Sequence, residues 1–134
     1  MADLVHLEVL TPDRKVLSAK VTEVQFPTEH RGYYGILPDH TRIMTPLGDG
    51  LLHFVQEGQR RRITIFGGFA EVGPDHVSIL AREAETLEML DPATVEAAYL
   101  AAQKAVKDAR NPEEVEAAQV QYRLASVRKQ ALES

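Results

Sequence analysis

The amino-acid sequence predicts a mainly β domain followed by a helical hairpin, and three observations carry that prediction. Apolar and polar residues alternate from Leu4 to about Glu88, Gly, Pro and Asp cut this stretch at close intervals, and from Asp91 the alphabet shifts to Ala, Glu, Gln, Lys and Val. Period-two alternation in short runs between turn formers is the pattern of a sandwich or barrel. All of the later alphabet except Val favours helix. The expected organisation is a β domain over 1–88 and a helical hairpin over 89–134, with 134 residues enough for one core.

In "LVHLEVL" the residues Val5, Leu7 and Val9 share one face, and His6 and Glu8 the other. "KVTEVQF", "GLLHFVQEG", "RRITIF" and "HVSILA" are further strands, separated by turns in "TPDRK", "QEGQR" and "VGPDH". In those turns Gly supplies positive φ, Pro presets φ, and Asp bonds nearby backbone. Gly67 and Gly68 sit inside the apolar run "IFGGFAEV". The pair suggests a bulge or close approach of another backbone, with a simple turn as the other reading. Arg60, Arg61 and Arg62 form the only basic triplet, and alternate members point to opposite faces of a strand. A solvated edge or turn flank is the expectation, ahead of a nucleic-acid patch.

Asp91 before Pro92 suits a helix N-cap followed by proline at the first helical position. Asn111 and Pro112 repeat the device, with Glu114 placed as in a capping box and Glu113 meeting the positive helix end. Two helices follow, Pro92 to Ala109 and Pro112 to Leu132, whose short connection folds them back on each other. The expected packing stripe of the first is Ala93, Ala97, Ala98, Ala101, Ala102, Ala105 and Ala109, with Val95, Leu100 and Val106. The second offers Val115, Ala118, Tyr122 and Ala125 on one face. Small side chains remove little apolar surface from water, so this hairpin is either a weakly held, movable arm or a fixed brace.

The formal charge is −5, there is no cysteine, and no extended basic block occurs. The lack of cysteine excludes a disulfide framework and thiolate metal sites, and the charge argues against nucleic acid as the main partner. Apolar runs are only a few residues long and the start lacks the basic flank of a secretory leader, so a soluble chain without a membrane span is expected. No Walker loop, H-E-x-x-H, nucleophile elbow or dinucleotide fingerprint is present. The five histidines lie far apart, and Asp39 beside His40 has no nucleophile with it, so neither a metal site nor catalysis is expected.

The stretch "GYYGILPDHTRIMTPLGDG", Gly32 to Gly50, has a different character. Gly32 and Gly35 bracket Tyr33 and Tyr34, Pro38 stiffens the exit, and Asp39 to Arg42 form a polar tip. Tyrosines on a stiffened loop favour a contact surface, because they bury much area with little entropy to lose. The plainer reading is one tyrosine capping the core beside a turn.

At these residues the chain resembles the epsilon subunits of rotary F-type ATP synthases, relatives of the mitochondrial delta subunit. The likeness rests on that stretch, on "GGFAEV", on "HVSILA", on the early "VLTPDRKVLSAKV" strand pair and on the terminal hairpin, in that family's order. It implies a flattened ten-stranded β-sandwich with two helices after it. It also implies a non-catalytic central-stalk subunit of a proton-translocating ATP synthase, peripheral to the cytoplasmic side of the membrane. Its partners would be the gamma subunit and the membrane rotor ring of c subunits. Carried over by position, Tyr33, Tyr34, His40 and Arg42 are the rotor-ring contact, with Tyr33 where Glu is common and Arg42 where Pro is common.

The same resemblance implies a hairpin able to extend toward the alpha and beta catalytic subunits and block ATP hydrolysis. Arg123, Arg128 and Lys129 lie in a segment without acids, and complementing the helix dipole is their other reading. Some members bind ATP through an I/L-D-x-x-R-A motif. Leu90 and Asp91 match it, but Thr94 and Val95 occupy the Arg-Ala positions, so the phosphate partner is missing and weak or no ATP binding is expected. No cofactor is implied. The reading left beside this one is a free-standing β-sandwich module for a ligand or peptide, braced by a fixed hairpin.

Overall fold

The computed structural model describes residues 3–30, 32–38 and 40–133. The chain divides into two units, Met1–Thr86 and Leu87–Ser134.

The first unit contains β1 Val5–Leu10, β2 Lys15–Val21, β3 Glu23–Thr28, β4 Gly32–Ile36, β5 Ile43–Pro46, β6 Gly50–Gln56, β7 Gln59–Val72 and β8 His76–Glu85. They form one sheet in the order β2-β1-β8-β7-β6-β3-β4, with β5 on β7. Each pairing is antiparallel except β1 with β8. The sheet folds over a single core: Val5, Leu7 and Val9 of β1 join Val24 and Phe26 of β3, Ile36 of β4, Leu52 of β6, Ile65 of β7 and Ile79 of β8. The alternation in "LVHLEVL" thus places its apolar face inward. Each such buried Leu, Ile or Phe contributes about 1.5–3 kcal/mol.

Eight strands are found among the described residues, where the resemblance implied ten. β7 runs 14 residues without a break through Gly67 and Gly68, which have φ of 64° and 105°. They form no turn, and no residue is inserted there, since Phe66 pairs with Glu83 and Gly68 with Ala81 in one unshifted register. Before the glycine pair β7 pairs with β6, and after it with β5, while β8 follows it on the other side. One bent strand thereby serves both layers, as at the corner of a sandwich. A Cβ on Gly68 would stand 2.0 Å from the Leu80 carbonyl oxygen, so only glycine permits this approach.

"KVTEVQF" is also not one strand. It breaks at Thr22, whose N–H donates to the Val55 carbonyl at 3.0 Å and starts β3 beside β6. The β6–β7 link is a two-residue turn at Glu57 and Gly58, with φ of 52° and 78°, as a tight hairpin requires. Arg60 and Arg61 follow it exposed, and Arg62 is half-buried.

The second unit begins with a 3-10 turn, Leu87–Met89, followed by α1 Pro92–Asp108 and α2 Pro112–Glu133. Asp91 caps α1, its carboxylate accepting the Thr94 N–H at 3.1 Å. Asn111 Oδ1 accepts the Glu114 N–H at 2.9 Å, while Glu114 reaches back to the Arg110 N–H at 2.8 Å, one residue before the cap. The helices run antiparallel, for Glu96 meets Lys129 and Tyr99 meets Tyr122. Of the alanine stripe expected to pack, only Ala102 is buried, together with Val95; Ala93, Ala97, Ala98, Ala101 and Ala105 are exposed. Helix propensity placed those alanines in α1 without deciding which face they take. In α2 Ala118, Ala125, Val127 and Ala131 are buried.

Candidate interaction surfaces

Tyr33 and Tyr34 are adjacent on β4, so their side chains take opposite faces. Tyr34 pairs with Phe26 across β3 and stacks on its ring at a centroid distance of 6.0 Å. Its hydroxyl lies 3.3 Å from His40 Nε2, with the two rings edge to face at 5.7 Å. His40 Nδ1 lies 2.6 Å from the Thr41 carbonyl. A carbonyl only accepts, so Nδ1 carries the proton, and in the neutral ring Nε2 accepts the Tyr34 O–H. This chain of bonds ties His40 to β4. Asp39 lies outside the described residues.

Tyr33 faces the other way. Its hydroxyl accepts the Leu51 N–H at 3.1 Å and its ring lies 6.2 Å from that of His53. Gly50 makes room for it, since a Cβ there would stand 2.9 Å from the hydroxyl. His53 is drawn below the ordinary imidazole range by burial, then by the charges of Arg60 and Arg62. Arg42 is exposed and lines a cleft with Ile43, Met44, Glu71, Val72 and His76. The four residues expected to act together therefore divide: Tyr34 with His40, Tyr33 on the opposite face of β4, and Arg42 beside the β7–β8 turn.

Sequence reasoning missed a further surface on the outer side of the sheet. Pro46, Phe69, Leu80 and Leu10 are successive Cα partners across β5, β7, β8 and β1. Phe69 is 52% and Leu80 44% exposed. On the same face, two residues along, Met44 partners Glu71, which partners Ser78. Period two in "GGFAEV" and "HVSILA" carries the signal: Phe69 and Leu80 have the parity opposite to the core residues Ala70, Val72 and Ile79. Pro46, Phe69 and Leu80 are exposed and Leu10 half-buried, so the row lies open on the outer sheet face.

On the hairpin, Arg123 is exposed and Arg128 half-buried. Lys129 is engaged within the hairpin: its Nζ lies 2.6 Å from Glu96 and 3.2 Å from Glu133, and 4.9 Å from the centroid of the Tyr99 ring. Those hydrogen bonds, Glu96 first and Glu133 second, raise its pKa and hold it charged. At the start of α1, Asp91 accepts from both the N–H and the O–H of Thr94, which lowers its pKa and commits the carboxylate to capping. Leu90 is half-buried, its N–H donating to the Leu87 carbonyl at 3.1 Å. No group of three or more His, Cys, Asp or Glu suited to a metal, and no helix long and apolar enough to cross a membrane, occurs among the described residues.

Comparison with known proteins agrees with this architecture. The family model for the ATP synthase delta/epsilon chain β-sandwich domain matches residues 4–87. The ATP synthase epsilon chain of Solibacter usitatus is 41% identical over 112 residues, covering 84% of this chain and 81% of the relative. That of Herpetosiphon aurantiacus is 40% identical over 126 residues, covering 94% and 92%, so the hairpin is included. Among solved structures, a chain of the Euglena gracilis mitochondrial ATP synthase OSCP/F1/c-ring superposes with a TM-score of 0.83 at 23% identity, over 96% of this chain and 81% of that one. A chain of the Tetrahymena thermophila ATP synthase central stalk/c-ring gives 0.62 at 13% identity, over 95% of each. At those identities the structures show a shared fold.

Proposed function

This chain belongs to the ATP synthase delta/epsilon family, and on that premise we propose that it is a non-catalytic central-stalk subunit joining the gamma subunit to the membrane rotor ring. Its place is peripheral, on the cytoplasmic side of a proton-translocating complex. The outer row of Pro46, Phe69, Leu80 and Leu10 supports this reading most directly. A small free domain rarely leaves such a row uncovered, whereas a subunit clamped in an assembly buries it. We assign the row to gamma. The Tyr34–His40 loop, with exposed Leu37 and Met44, and Arg42 beside it, is assigned to the rotor ring.

A sheet turned at the Gly67–Gly68 pair into two layers over one core transmits force with little internal shear, as torque transfer between two partners requires. The hairpin adds regulation. Among its described residues the buried side chains are two valines and four alanines, so separating its helices exposes little apolar surface. Extended, it would present Arg123, Arg128 and Lys129 to acidic surface on the alpha and beta catalytic subunits and restrain hydrolysis.

The test uses full-length chain and purified gamma subunit. Wild-type protein is expected to co-elute with gamma, and Phe69→Asp or Leu80→Asp to lower that affinity at least tenfold, since an acid in an apolar contact costs about 1.4 kcal/mol or more. Unchanged co-elution of both variants, each folded by circular dichroism, would remove the row from the interface. Failure of the wild type to bind gamma would remove the stalk assignment.

A further inference from the structure

The contacts between α1 and α2 include a polar cluster where α1 begins and α2 ends. Lys129 Nζ lies 2.6 Å from Glu96 Oε2 on α1 and 3.2 Å from Glu133 Oε1 on its own helix. The ammonium sits 4.9 Å from the Tyr99 ring centroid. Beside it the Tyr99 and Tyr122 hydroxyls are 3.2 Å apart and their rings 5.5 Å, so two tyrosines bridge the helices next to the ion pair. Four of these five residues lie one to two turns apart on one face of each helix: Glu96 and Tyr99 on α1, Tyr122 and Lys129 on α2.

We propose that Lys129 is the clasp of the closed hairpin, and that its ammonium becomes available to an acidic partner surface only when α2 parts from α1. The inference rests on the inhibitory reading above and names how that activity is held in check. An ammonium has three donor directions and no acceptor. In the closed hairpin two go to Glu96 and Glu133, and the aromatic face of Tyr99 adds attraction to the same cation. The two uses of Lys129 exclude each other, because the carboxylates that hold it would have to be replaced by those of the partner.

Glu96 separates the clasp from the grip. It carries the wrong sign to bind acidic surface, so neutralising it loosens the hairpin and leaves all three cations in place. Neutralising Lys129 loosens the hairpin and removes one of the cations. A role confined to gripping makes Glu96 irrelevant; a role as clasp makes Glu96→Gln the stronger inhibitor.

The experiment measures amide hydrogen exchange of the full-length chain and ATP hydrolysis by the complex reconstituted with it. In Glu96→Gln the α2 amides are expected to exchange about two- to fivefold faster, the range for an exposed ion pair. Hydrolysis should fall by a similar factor. Raising salt on the wild type should reproduce the faster exchange by screening, and Lys129→Arg, which keeps charge and ring stacking, should match the wild type. In Lys129→Gln exchange should quicken with no gain in inhibition. Unchanged exchange in Glu96→Gln overturns the clasp. Faster exchange with unaltered hydrolysis upholds the clasp and overturns the inhibitory reading on which it was built.

Discussion

The Tyr33 hydroxyl accepts the Leu51 backbone N–H at 3.1 Å, across the place where the ladder between β3 and β6 ends. That ladder stops at Gln25 and His53, and Pro27, in line with Leu51, has turned its carbonyl to the Gly48 N–H at 3.1 Å. Tyr33 thus satisfies a donor in a residue only 1% exposed. Tyr33→Phe keeps the ring and loses the acceptor. It should destabilise the sandwich by about 1 kcal/mol, read as a lower urea midpoint at constant m. An unchanged midpoint would leave Tyr33 with a surface role alone.

His53 makes the β unit sensitive to mild acid. Its folded-state pKa is lowered, chiefly by burial and then by Arg60 and Arg62, so the neutral ring is the form the fold favours. The contribution is complete above the unfolded value of about 6.5 and is lost as pH falls through the folded value. Thermal melts from pH 8 downward should show stability declining below about pH 6.5, and His53→Gln should flatten that slope. An identical slope in the variant would assign the titration elsewhere.

Gly68 holds the corner of the sandwich. It combines φ of 105° with a Leu80 carbonyl oxygen 2.0 Å from where a Cβ would go. Gly68→Ala therefore meets both backbone strain and a collision with backbone, and should cost about 2 kcal/mol or more. Gly35, with nothing within 4 Å of its added Cβ and no positive φ, is the matched control. Gly35→Ala should leave the melting temperature nearly unchanged; equal effects at the two positions would mean that the close approach at Gly68 is not the constraint.

Features written in local chemistry were legible before the fold was known. Val5, Leu7 and Val9 announced an inward face, Asp91–Pro92 and Asn111–Pro112 announced two helix starts, and each was found in place. What was not legible depends on partners distant in sequence. Thr22 breaks "KVTEVQF" with neither Gly nor Pro, because β6 captures its N–H. Gly67 and Gly68 left a turn, a bulge and a close backbone approach open until β8 was known to run past both in one register. Tyr33 and Tyr34 looked like one surface, although period two alone divides them. The hairpin cluster did leave a trace: Tyr99 and Tyr122, the hairpin's only aromatics, stand at nearly equal distances from Asn111 and so meet when the helices fold back.

Thr94 stands where an ATP-binding relative would carry arginine, and here it occupies the neighbouring carboxylate. Its N–H and O–H both donate to Asp91, at 3.1 and 2.5 Å. The side-chain bond, then the backbone bond, lowers the Asp91 pKa. For a depressed carboxyl the support to the first turn of α1 is present above the unfolded value of about 3.9 and lost as pH falls through the folded one. Helicity of α1 should hold to about pH 4 and decline below it, and Asp91→Asn, a good cap without a charge, should remove that dependence. With the carboxylate committed and no guanidinium in the motif, calorimetric titration with ATP should show no saturable heat up to about 1 mM, a limit near −4 kcal/mol. Thr94→Arg restores a phosphate partner and frees Asp91, so binding should appear in the variant alone. Micromolar affinity in the wild type would show that the nucleotide uses other groups and that the cap does not compete with it.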